Sequence, residues 1–122
     1  MGFFNTIFGE KTNELPDFWK NIESEEDLKN VIEESHHQKV VIFKHSTRCF
    51  ISKTVLKNFE KEINESEKVA LYYFLDLLAH RNLSNKIAED FEIEHQSPQI
   101  IVLENGVAIN NASHQNISLN LV

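Results

Sequence analysis

The residues with the clearest chemical potential are Cys49-Phe50-Ile51-Ser52. Their spacing is that of a Cys-x-x-Cys redox motif with serine in place of the second, resolving cysteine. The thiolate is the attacking species in thiol–disulfide exchange. Attack by Cys49 on a substrate disulfide would leave a mixed disulfide that the chain cannot resolve internally, because Cys49 is its one cysteine. A second thiol must then come from outside. The motif is therefore monothiol, and an intramolecular dithiol reductase is excluded.

The flanking sequence predicts how this motif is held. Val40-Val41-Ile42-Phe43 is a continuous apolar run expected of a strand buried on both faces, and His45-Ser46-Thr47-Arg48 ends it. Beyond Cys49, Ile51, Val55, Leu56, Phe59 and Ile63 recur at helical spacing, predicting a helix from near Cys49 to about Glu65. Cys49 then falls at a helix N-terminus, where unpaired N–H groups and the positive end of the helix dipole favour a thiolate. Arg48 adds positive charge beside it. A lone cysteine is commonly a small buried hydrophobe; its place after four polar residues at a strand–helix junction argues for reactivity instead.

The remaining elements follow from the same patterns. Ser24 before Glu25-Glu26-Asp27 is a helix start, with Leu28, Val31 and Ile32 as its apolar stripe. Val69 to Leu75 predicts a second strand. Leu83, Ile87, Ala88 and Phe91 predict a helix opened by Asn82 or Ser84. Gln99 to Leu103 predicts a third strand, Asn105-Gly106 a type I′ hairpin turn, Val107 to Asn111 the returning strand, and Ile117 to Val122 a stub of a last helix. Two parallel β-α-β units followed by a hairpin correspond to an α/β, thioredoxin-like fold: a central four-stranded mixed sheet flanked by helices on both faces. In that fold a cis-proline lies against the active-site cysteine, and the residue before it pairs through its backbone with substrate. Pro98, directly before a strand, and Ser97 are the candidates for substrate binding.

Bulk properties narrow the function classes. The chain has 122 residues and a formal net charge of −7, from 12 basic against 19 acidic residues. That balance argues against nucleic acid or an anionic membrane surface as partner. No apolar run approaches the roughly 20 residues of a membrane span. The N-terminus lacks the features of a signal peptide, so a reducing cytoplasm is the expected location. Residues 1–17, with the apolar cluster Phe3, Phe4, Ile7 and Phe8, read as a loosely packed tail ahead of a single domain over residues 18–122.

The sequence resembles the bacilliredoxins of the YtxJ type, thioredoxin-like proteins of the bacillithiol system. The resemblance lies in Phe43-Lys44-His45-Ser46-Thr47-Arg48-Cys49 with Ile51-Ser52, Arg81 with Leu83-Ser84-Asn85, His95 with Ser97-Pro98-Gln99, and Asn105-Gly106 followed by Ala112-Ser113-His114. Phe50 stands where the family commonly has proline. The resemblance implies that Cys49 takes a low-molecular-weight thiol, bacillithiol or a similar one, from thiolated client proteins. The small thiol would be a co-substrate, with no bound cofactor and a monomeric protein. A thiol-based redox sensor and a non-catalytic adaptor of the same fold remain as alternatives.

The six histidines lack the His-x-x-x-His or Cys–His spacing of a metal site, so no metal is expected. His45, by its nearness to Cys49 in sequence, and His95, by its nearness to Pro98, are candidates for tuning the thiolate.

Overall fold

The computed structural model describes residues 15–122. The apolar cluster Phe3, Phe4, Ile7 and Phe8 lies outside the described residues. Five strands form one sheet: β1 (Trp19–Asn21), β2 (Val40–His45), β3 (Leu71–Asp76), β4 (Gln99–Glu104) and β5 (Val107–Ser113), in the spatial order β1-β3-β2-β4-β5. β2 runs parallel to β3 and antiparallel to β4, and β4 pairs antiparallel with β5. The thioredoxin-like α/β class expected from the sequence is observed, with five strands where four were expected. The additional strand is β1, which pairs parallel with β3 through Trp19 opposite Tyr72 and Asn21 opposite Phe74. Three residues are too few to show the alternation by which strands are recognised in sequence.

Three helices cover the sheet: α1 (Glu25–Glu34), α2 (Phe50–Asn64) and α3 (Arg81–Asp90). Successive side chains of a strand face opposite sides, and β2 uses both. Val41 and Phe43 pack with Val55, Leu56 and Phe59 of α2. Val40 and Ile42 pack with Leu28 and Val31 of α1 and Leu83 and Ile87 of α3. α1 begins as its sequence predicts, with the Ser24 hydroxyl accepting the Asp27 N–H at 3.1 Å while Asp27 Oδ2 accepts the Glu23 N–H at 2.8 Å.

Other boundaries differ from the sequence pattern for local reasons. Val69 is 80% exposed and precedes the first paired residue, Leu71, which lies opposite Val40. α3 is capped at His80, not at Asn82 or Ser84. The Asp76 carboxylate accepts the Leu78 and Ala79 N–H groups, folding the chain back at once so that the helix starts early. The short last helix expected over Ile117 to Val122 is reduced to a single 3₁₀ turn within that span, Leu119–Leu121. A further 3₁₀ turn, His114–Asn116, precedes it, and extended Ile117 separates the two. At the hairpin, Asn105 and Gly106 have φ of 54° and 80°, the positive angles a type I′ turn requires. The Gly106 N–H donates to the Ser35 hydroxyl, which ties the turn to the end of α1.

β1 is anchored by Trp19, whose ring meets Phe43, Tyr72 and Phe74 edge-on. Its indole N–H donates to Glu60 Oε2 of α2 at 2.8 Å in the interior. Trp19→Phe would keep most of the apolar contact and strand a buried carboxylate oxygen. The expected loss is about 1–3 kcal/mol in urea unfolding, with a smaller loss for Glu60→Gln, whose side-chain oxygen still accepts.

Candidate active site

β2 ends in the interior at His45, and residues 46–49 carry the chain to α2. The Cys49 N–H donates to the Ser46 carbonyl at 3.2 Å, closing a tight turn. Cys49 is the N-cap of α2, with extended φ of −104° and ψ of 119°, and its side chain makes no capping hydrogen bond. An N-cap side chain is normally an oxygen acceptor facing the free N–H groups of the first turn. Here that position holds sulfur. A thiolate would fill the acceptor role that a neutral thiol fills poorly.

Ser52, three residues on, is fully buried. Its hydroxyl accepts the Ser46 N–H at 3.2 Å and lies 2.7 Å from His45 Nδ1. The serine at the resolving-cysteine position thus holds the Cys49 turn against the end of β2. Burial pushes the His45 pKa down, opposed by the Asp76 carboxylate and aided by the Lys53 ammonium. His45 is therefore neutral at pH 7, and its Nδ1 either accepts from or donates to Ser52. Thr47 and Arg48 are exposed and Ser46 and Cys49 half-buried. Phe50 and Ile51, the first two residues of α2, are 79% and 44% exposed. The Ser97–Pro98 peptide is cis. Pro98 is buried, and the Ser97 hydroxyl is shielded from solvent with no hydrogen-bond partner.

His95 keeps different company from His45. Its Nδ1 lies 3.4 Å from Lys44 Nζ and 3.3 Å from the Ser84 hydroxyl. Lys44 follows the alternation of β2 to the α1/α3 side, while His45 faces α2. The sheet therefore separates the two histidines. Lys44 enters the sequence reading only as part of the resemblance motif, with no role of its own. It is fully buried, donates to the Ser84 carbonyl at 3.0 Å, and has its pKa lowered to about 8 by burial. The only sequence signal was its place in register with the inward-facing Val40 and Ile42. Burial also lowers the His95 pKa, with Lys44 and Arg81 adding repulsion.

Among the described residues, no group of three or more His, Cys, Asp or Glu side chains is placed to hold a metal ion. No helix among them is long and apolar enough to cross a membrane.

A strand, a tight turn with cysteine as helix N-cap, and a cis-proline ahead of the antiparallel strand define a thioredoxin-fold redox protein. The fold is shared with solved thioredoxins. That of Trypanosoma brucei brucei is 18% identical, over 80% of this chain and 79% of its own, with a TM-score of 0.66. That of Malassezia sympodialis is 21% identical, over 77% and 76%, with a TM-score of 0.63. A thioredoxin-fold protein proposed to be an oxidoreductase is more similar, at 30% identity over 84% of this chain and 88% of its own, with a TM-score of 0.73. Residues 20–122 match the model of the monothiol bacilliredoxin BrxC, and the chain belongs to this family of thiol redox proteins.

Two predictions follow from the charges. Lys44 titrates near pH 8 when folded and near 10.5 when unfolded, so the unfolded chain holds more protons between those values. Stability then rises with pH through that window, and below about pH 8 the burial penalty is fully in place. Lys44→Met should raise the urea midpoint at pH 7, by about 1–3 kcal/mol in free energy, and flatten this alkaline rise. On the acid side, the lowered pKa values of His45 and His95 mean that the unfolded chain takes up protons first. Unfolding midpoints should fall as pH drops below about 6.5, and less steeply in His45→Gln.

Proposed function

We propose that this chain removes a low-molecular-weight thiol, bacillithiol or a similar one, from mixed disulfides on client proteins. The observation that carries this reading is Cys49 at the N-cap of α2 with a buried serine at the resolving position. The Cys49 thiolate attacks the small-thiol sulfur of the client's mixed disulfide. A new disulfide forms between Cys49 and the small thiol, the client's sulfur leaves with the bonding electron pair, and solvent supplies its proton. A second small-thiol molecule, as thiolate, then attacks the Cys49 adduct. This frees the Cys49 thiolate and releases a symmetrical small-molecule disulfide, so the oxidation passes from client to small thiol.

Several features support the assignment of parts. Arg48 and Lys53 make no ion pair with a carboxylate among the described residues, although the chain is acidic overall, so positive charge stays near the sulfur. Ser97, the residue before the cis Pro98, would pair through its backbone with the bound client. His45 and Ser52 act by holding the turn, and His95 by holding the segment that leads to Pro98. No resident cofactor enters the cycle. The setting is a reducing cytoplasm, and the partners are thiolated client proteins met by a monomer.

The test is a model protein bearing one bacillithiol mixed disulfide, with release followed by mass spectrometry in the presence of excess bacillithiol. The wild-type chain should turn over many equivalents, and Cys49→Ser should fall to the uncatalysed rate. A Cys49 adduct that forms and then resists excess thiol would instead identify a sensor. Absence of any adduct would identify an adaptor.

A further inference from the structure

In the helix that Cys49 caps, the first turns of α2 open a pocket of about 300 Å³. Phe50, Ile51, Thr54 and Val55 form its wall, with Asn58 a turn further on and Gln115 reaching in from the His114–Asn116 turn. Its volume lies at the low end of small-molecule sites. We propose that this pocket receives an apolar side chain of the client polypeptide close to its modified cysteine, so that Phe50 selects clients by the sequence flanking the mixed disulfide. The proposal rests on the reading of Cys49 as the thiol carrier.

Three observations favour a polypeptide over the small thiol as occupant. None of the six lining side chains is charged, so an ionised small molecule gains no ion pair there. Phe50 and Ile51 leave large apolar surface in water, which an apolar side chain would cover. The side-chain amides of Asn58 and Gln115 carry both donors and acceptors, the complement of a peptide backbone. The pocket's nearest link to the reacting group is through the chain: Phe50, in its wall, is the residue after Cys49. A client chain spans about 3.3–3.6 Å per residue, so the side chain that enters the pocket would lie within a few residues of the client's cysteine.

Two readouts test this. The first is exchange kinetics with two bacillithiolated peptides that differ only in leucine or glycine beside the cysteine. The leucine peptide should have the lower KM, by about tenfold if one side chain is largely buried. Phe50→Ala and Thr54→Asp should each bring the ratio of the two KM values toward one. Both residues are exposed, so neither change empties the core. The second readout needs no thiol chemistry: fluorescence anisotropy of dye-labelled peptides, with serine for cysteine, on the Cys49→Ser protein should show the same preference. Binding without turnover would uphold the pocket while removing the assigned reaction. Equal KM and equal binding for both peptides would overturn the proposal. So would a Phe50→Ala effect confined to the KM for free bacillithiol, which would make the small thiol the occupant. A concentration-dependent dimer abolished by Phe50→Ala would assign the pocket to a second copy of the chain, and would overturn it as well.

Discussion

Strand β2 has no solvent side. All six of its residues are buried, and because side chains alternate, each must satisfy whichever helical layer it enters. Val41 and Phe43 are claimed by α2, Val40 and Ile42 by α1 and α3. The same rule holds at the polar end, where Lys44 and His45 enter opposite layers and meet separate partners, Ser84 with His95 on one side and Ser52 on the other. The strand cannot slip by one residue without exchanging a lysine for a histidine in two interiors. The position of Cys49 is thereby fixed through a short turn from a register that the whole sheet enforces.

At the site, two residue types are each displaced from their ordinary use. A helix N-cap normally supplies an oxygen acceptor, and here it supplies sulfur. A resolving position in a redox motif normally supplies sulfur, and here it supplies a hydroxyl used as mortar. The two exchanges are complementary. Ser52, bonded to Ser46 and His45, stabilises the turn without competing for the disulfide, and Cys49 keeps the half-exposed end of the helix dipole. Chemistry that needs a thiol from outside fits a site in which the internal one has become structural.

The elements legible in the sequence were those with long, regular patterns. β2, α2 and the Asn105-Gly106 hairpin lie where periodicity and turn chemistry put them, because burial and backbone angles there follow from local residue types. β1 was invisible because three residues hold no period, and it exists through the tertiary contacts of Trp19 with β3 and Glu60. The last helix was expected from an apolar stretch, yet Leu119 alone of its residues is buried, too little to offset the cost of ordering a full helix. Cys49 and Ser52 stood out in the sequence through their Cys-x-x-Ser spacing, and Pro98 through its place directly before a strand. Lys44 was not, since its burial depends on α3 and on residues fifty positions further along the chain closing over it.

The exposure of Phe50 has a consequence for tolerance to substitution. It occupies the first position of α2, its ring stands in water, and the cysteine beside it is held by Ser46 and the sheet rather than by that ring. Substitutions there cost the fold almost nothing, whereas Ser52 and His45, within three and four residues of Cys49, are locked by burial on every side. That tolerance beside the sulfur is therefore partitioned by geometry, with one side of the helix start constrained by packing and the other free of it. The surface beside the sulfur can change its size and polarity without disturbing the turn that holds Cys49.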